Sequence, residues 1–315
     1  MAVSKPTAQT LTVLHNFSIT DGENPLNCLV LAEDTLYGSA YYLYKINTDG
    51  TDYSVLYGDF AEALAISGST LYGGGFLPTL FSINTDGTGF RDLTNGIGFD
   101  PEYLLLSGTT LYGTSSYGGF ADLGIVFKIE TDGTGYTPLK EFTGIDGNSP
   151  EGLVLDGNTL YGATYSGGSS NLGVIFKIKT DGTGYTILKN FNTSDGGAPE
   201  GELVLSAGVL YGTTSFGGSS VGGTLFKIST NGTGYAVLKN FDWSGSEAYS
   251  PNGGLVLSGR TLYGTTLHDG SRDETVVEKG VVFQINTDGT GYAVLRHLDG
   301  QGGKHSANLL WRDSR

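Results

Sequence analysis

Leu160-Tyr161-Gly162-Ala163-Thr164-Tyr165-Ser166-Gly167-Gly168 decides the architecture of this chain, because its opening Leu-Tyr-Gly returns at Leu36, Leu71, Leu111, Leu210 and Leu262. Successive tyrosines of these units stand 35, 40, 49, 50 and 52 residues apart. Self-similarity at about 20–50 residues marks a solenoid, a propeller or an array, in which each unit buries its apolar face only against its neighbours.

Working outward from that stretch gives one module. Gly152-Leu153-Val154-Leu155 is a short apolar run that reads as a buried strand, and Asp156-Gly157-Asn158 is a tight turn. Thr159–Thr164 forms a second strand, Ser166–Gly173 a Gly/Ser loop, and Val174–Ile178 a third strand. Thr180–Gly184 is a hairpin turn before a fourth strand, Tyr185–Phe191. Four short antiparallel strands per unit, with no sustained helical period, predict an all-β chain: a β-propeller of four-stranded antiparallel blades.

The modules run over 24–60, 61–95, 101–142, 150–191, 199–241 and 251–298, within one domain spanning 1–315. Thr12–Phe17 matches a fourth strand without a blade, and Ser306–Trp311 resembles one more first strand. The expectation is six blades with the termini overlapping at a closure seam formed by 10–17 and 306–311. A partial seventh blade is the alternative. Modules lengthen mainly after strand two and after strand four, so one face is decorated with loops and the other carries the short Asp-Gly turns.

Composition agrees. Gly is 52 of 315 residues, yet 19 Tyr and 15 Phe supply large side chains to bury, which excludes a disordered Gly-rich chain. A net charge of −15 opposes binding to nucleic acid or anionic membrane, where Lys and Arg must neutralise phosphate. Cys28 stands alone, so no internal disulfide forms, and its strand context reads as a small buried hydrophobe. No apolar run reaches the roughly 18 residues of a membrane span. Met1–Pro6 lacks the apolar core of a signal peptide. The protein is then either cytosolic or a mature form whose leader has been removed; the Gly, Ser, Thr, Asn and Tyr richness fits the extracellular or cell-surface reading better, and a monomer is expected.

The run GLVL…TLYGTT…GG…FKI.TDGTGY..LK.F is clearest in Gly152–Phe191, Glu202–Phe241 and Gly254–Leu298. It resembles the Gloeo/Verruco-type (GloVer) tandem repeat of secreted bacterial proteins and is more distantly similar to the NHL-type propeller blade. The resemblance covers nearly the whole chain, although the first two modules lack the Gly-Gly loop. It implies a propeller, export and surface association, and brings no shared chemistry with it.

Three groups of residues are candidates for function. Four positions before the last apolar residue of strand one stand Asn27, Glu62, Glu102, Glu151, Gly201 and Gly253, with Glu200 and Glu202 flanking the fifth. With strand one innermost, Glu62, Glu102 and Glu151 surround one mouth of the central channel, where crowded carboxylates could hold a cation or polarise a substrate. The competing reading makes them solvated residues leading into strands. Second, the last module's charged insertion runs from Leu267 to Gly280 and contains His268, a candidate base or ligand, or part of a solvated mixed-charge loop. Third, Tyr117, Tyr165 and Phe216 follow Leu-Tyr-Gly, and Trp243 follows the fifth blade; these aromatics either stack on sugar rings or pack between blades.

The leading expectation is an extracellular binding or scaffold propeller that contacts glycan or protein through the decorated face. The alternative is a polysaccharide lyase or glycoside hydrolase using the channel-mouth carboxylates, with Glu102, Glu151 and His268 as weak catalytic candidates. No metal-ligand spacing appears, and no cofactor is expected beyond a divalent cation such as calcium. The Asp-Gly-Thr-Gly turns lack the alternating acids of a calcium loop. Asp21-Gly22, Asp146-Gly147 and Asp195-Gly196, after strand four, retain a small chance of binding an ion or a hydroxyl.

Overall fold

The computed structural model describes residues 12–18, 29–58, 61–75, 79–93, 100–244, 247–270 and 280–298. These residues form six four-stranded antiparallel sheets, arranged as a β-propeller, and no helix. In each sheet the strands lie side by side in chain order. Blade four is representative, with strands Asn148–Asp156, Thr159–Ser166, Val174–Lys179 and Thr186–Asn190. Blade two is the most reduced, its fourth strand shrinking to Arg91–Asp92. First strands of blades one to four touch in succession, which places them on the inner side of their blades.

Leu-Tyr-Gly does three separate jobs. In blade four Leu160 joins the cluster shared with blade three, while Tyr161 joins the one shared with blade five. Alternate strand residues point to opposite faces of a sheet, so one strand serves two interfaces. Gly162 leaves room for a ring from strand three: a Cβ there would lie 2.6 Å from Phe176 Cζ. The same aromatic faces the same glycine in blades three, five and six, through Phe127, Phe226 and Phe283. A register shift just before each of these phenylalanines re-aims the ring.

Short Asx turns close the plain face. Asp181 Oδ1 accepts from Thr183 N at 2.9 Å and from Thr183 Oγ1 at 2.7 Å, and Asp49, Asp86, Asp132 and Asp288 repeat the arrangement. The Thr bonds hold each of these carboxyls below the usual range. The following glycine needs its freedom, since Gly182 sits at φ 84°.

Leu14 and Phe17, ahead of blade one, pack on Leu36, Tyr44 and Ile46 although no strand forms there. Cys28, Asn27, the Asp21-Gly22 pair, residues 271–279 of the charged insertion and the C-terminal half of the expected seam, 306–311, lie outside the described residues.

Candidate functional site

Glu62, Glu102 and Glu151 stand at the inner ends of three adjacent blades, and blade five adds Glu200 and Glu202. They share the face that carries the decorated loops. Glu102 N donates to Thr114 O at 3.0 Å, and Ser116, at the start of the next loop, donates to the Glu102 carboxylate. Ser215 lies beside Glu200, where it opposes the upward push of burial on that carboxyl, while its hydroxyl donates to Ala198 O at 3.2 Å.

Two residues not singled out in the sequence complete the cluster. Tyr103 of blade three donates to Glu151 Oε2 of blade four at 3.0 Å. Asp100 lies beside Glu62 and Glu102, with Oδ1 buried and without a hydrogen-bond partner. Burial raises Glu62 above the usual carboxylate range, and Glu102 and Asp100 push it the same way. Burial raises Glu102 too, against the bond from Ser116.

Glu151 is shifted furthest, to about 8: burial dominates, the Tyr103 bond and the Gly201 N–H oppose it, and the charges of Glu102 and Glu200 add to it. Tyr103 is raised well above its ordinary value, because burial and the adjacent carboxylates disfavour a phenolate. It is therefore a fixed hydrogen-bond donor and a poor general base.

Neighbouring protein raises the Glu202 carboxyl although its side chain is exposed, and Glu151 and Tyr103 are half-buried. Solvent at these side chains therefore tempers the shifts. Glu202 lies over Gly152 of blade four, where any side chain would collide with it. Among the described residues no group of His, Cys, Asp or Glu is placed to hold a metal ion.

The aromatic candidates lie on the same, loop-bearing face. Tyr117 is 61% exposed, Tyr165 45%, Phe216 38% and Trp243 60%, so interblade packing does not claim them. Phe120, fully exposed, is a further aromatic of the same loops, in the stretch after Tyr117. Tyr165 occupies the position, counted from Leu-Tyr-Gly, from which Ser116 donates to Glu102 and at which Ser215 lies beside Glu200. His268 belongs to a ladder: its ring stacks on Tyr249 at 4.3 Å, and Tyr249 meets Trp243 at 5.1 Å. Backbone bonds between Tyr249 and His268 fix the pair at the border of blades five and six.

Asp146 and Asp195 are not open to an ion. Asp195 Oδ1 accepts from Asn192 N at 2.8 Å, and its other oxygen takes Asn192 Nδ2 and Lys189. Asp146 is satisfied likewise by Thr143 and Lys140. Burial opposes its charge, but these donors hold it below the usual range. Each lysine also sits over the ring of a tyrosine in the next blade, Lys189 over Tyr235 at 4.7 Å and Lys140 over Tyr185 at 4.9 Å. Both tyrosine hydroxyls donate back to the aspartate's carbonyl. These groups form an interblade clasp, with a structural role.

Residues 100–278 match the Gloeobacter/Verrucomicrobia repeat. The chain belongs to that family. Solved structures similar to this repeat protein share its fold at low identity. A chain of a nidogen/laminin complex is 16% identical over 85% of this chain and 95% of its own, with a TM-score of 0.56. The extracellular domain of a hybrid two-component system from B. thetaiotaomicron is 12% identical, covering 89% of this chain and 34% of that one, with a TM-score of 0.64. The computationally designed Ika8 protein is 13% identical over 91% of this chain and 78% of its own, at 0.58. No curated protein matches the sequence. Fold and repeat family support a binding or scaffold-type propeller in general.

Proposed function

We propose that this protein is an extracellular binding propeller whose loop-decorated face takes glycan. One observation carries the reading. Of the exposed aromatics among the described residues, Tyr41, Tyr117, Phe120, Phe216 and Trp243 lie in the connections of that face and Tyr165 at the end of a strand leading into one, while Phe90 is the exception. Flat apolar ring faces beside hydroxyls and carboxylates suit a sugar ring. The acidic mouth restricts the ligand to neutral or cationic glycans.

A glycan array probed with the labelled protein tests this. Binding to neutral glycans, none to sulfated or uronate-rich ones, and loss in Trp243→Ala and Tyr165→Ala are expected. No glycan bound, with a protein captured through the same loops, would replace glycan by protein as the ligand.

A second reading has one observation in its favour. A carboxylic acid held protonated near neutral pH, as Glu151 is, beside an ionisable partner such as Glu102, is the equipment of a glycoside hydrolase. Turnover of a glycan bound at the mouth, lost in both Glu151→Gln and Glu102→Gln, would establish it; cleavage unchanged in both would remove it.

A further inference from the structure

We infer that Asn252–Gly253 is a deamidation site, at which the folded chain adds a carboxylate to its own acidic cluster. The inference comes from setting side by side the two Asn-Gly pairs among the described residues, Asn231–Gly232 and Asn252–Gly253.

Asn-Gly is the pair best suited to this reaction, because glycine has no Cβ to shield its nitrogen from the side chain before it. Hydroxide takes the proton of the glycine N–H, and the nitrogen attacks Cγ of the asparagine amide. The new N–Cγ bond closes a succinimide ring as the Cγ–Nδ2 bond breaks, and the departing nitrogen is protonated and leaves as ammonia. Water then opens the ring at either carbonyl, giving aspartate or isoaspartate. A fold controls the rate through two groups: the attacking nitrogen and the amide that it attacks.

Asn231 is held at both. Its Oδ1 accepts from Thr233 N at 2.9 Å and from Thr233 Oγ1 at 2.7 Å. Gly232 N donates to Ser229 O at 2.8 Å. Ring closure there has to break the bonds that make the hairpin turn.

Asn252 is held at neither. Its Oδ1 is buried without a hydrogen-bond partner, and among the described residues Gly253 N makes no hydrogen bond. Unpaired polar groups of this kind have nothing to lose when the side chain turns onto the backbone nitrogen. Asn252 is half-buried and so open to hydroxide and water, while Asn231 is exposed. Exposure alone would put Asn231 first; the hydrogen bonds reverse the order.

The place of the product gives it a consequence. Asn252–Gly253 stands in blade six where Glu200–Gly201 stands in blade five. The two segments touch: a Cβ on Gly201 would lie 2.6 Å from Gly254 N and 2.8 Å from Gly253 C. Thr213 Oγ1 of blade five also donates to Gly253 O at 3.5 Å. Deamidation therefore gives blade six the acid that blade five already has, close to Glu200 and Glu202, whose carboxyls burial already raises.

Peptide mapping by mass spectrometry, after ageing the intact folded protein at mildly alkaline pH, reads both sites, each conversion adding about 1 Da. The urea-denatured chain aged alongside gives the rate of each pair without a fold. Asn252 is expected to convert several-fold faster than Asn231 in the folded protein, and at a similar rate to it in the denatured chain. Thr233→Ala, which removes one of the bonds to Asn231 Oδ1, should speed Asn231 and leave Asn252 as it was. Asn231 converting as fast as Asn252 in the folded parent overturns the proposal. So does Asn252 remaining an amide while the denatured chain converts, or Asn231 unmoved by Thr233→Ala.

Discussion

The Tyr103 hydroxyl reaches across from blade three to Glu151 Oε2 of blade four at 3.0 Å, closing the channel wall with a bond whose acceptor is a crowded carboxyl. Neither partner is placed to ionise readily, and the pair links the acidic mouth to the stability of the fold.

Stability should therefore fall as pH rises. Glu151 titrates near 8 in the folded protein and near the ordinary ~4.3 when unfolded, so the folded state binds more protons between those values. Its contribution is fully present below the unfolded value and lost as pH climbs through the folded one. Glu62, Glu102, Glu200 and Glu202 shift in the same direction and add to the trend. Thermal melts should give a higher Tm at acid-side pH than at mildly alkaline pH, and Glu151→Gln should flatten the profile.

Asp195→Ala should destabilise the protein by about 2–4 kcal/mol, since it strips Lys189 of its partner and leaves the Asn192 donors unbonded. The double variant with Lys189→Ala should cost less than the two single losses combined. Urea denaturation of all three variants measures the coupling; additive losses would mean that the clasp is not a unit.

Gly162→Ala should cost about 1–3 kcal/mol, because the new methyl meets the Phe176 ring at 2.6 Å and Leu153 at 3.0 Å in a packed interface. Equilibrium unfolding reads it directly. The repeated glycine is needed for room, not for an unusual backbone angle.

Phe17→Ala should cost roughly 1–3 kcal/mol by uncovering Tyr44 and Tyr53. Hydrogen exchange should quicken first in the blade-one strand Leu43–Asn47, with blades three to five unchanged.

Most of this fold was legible because it repeats. Leu-Tyr-Gly, the apolar runs beside it and the Asp-Gly turns mark strands whose packing partners lie one module away, so local pattern and tertiary contact agree. The fourth strand of blade four begins at Thr186 and not at Tyr185, because Tyr185 leaves the ladder to reach Asp146. That clasp went unread although Lys140, Lys189 and Lys239 recur at one module position, which was its signal. The channel-mouth glutamates were readable from strand position alone. Their pairing with Tyr103 was not: a tyrosine there replaces the glycine of blades four and six, and its partner belongs to another blade.

Hydroxyl-radical footprinting of the intact protein, with and without a bound neutral oligosaccharide, tests the binding face most directly. The account predicts protection at Tyr117, Phe120, Tyr165, Phe216 and Trp243, with Phe90 on the opposite face unchanged. Protection of Phe90, with none at the loop aromatics, would contradict it.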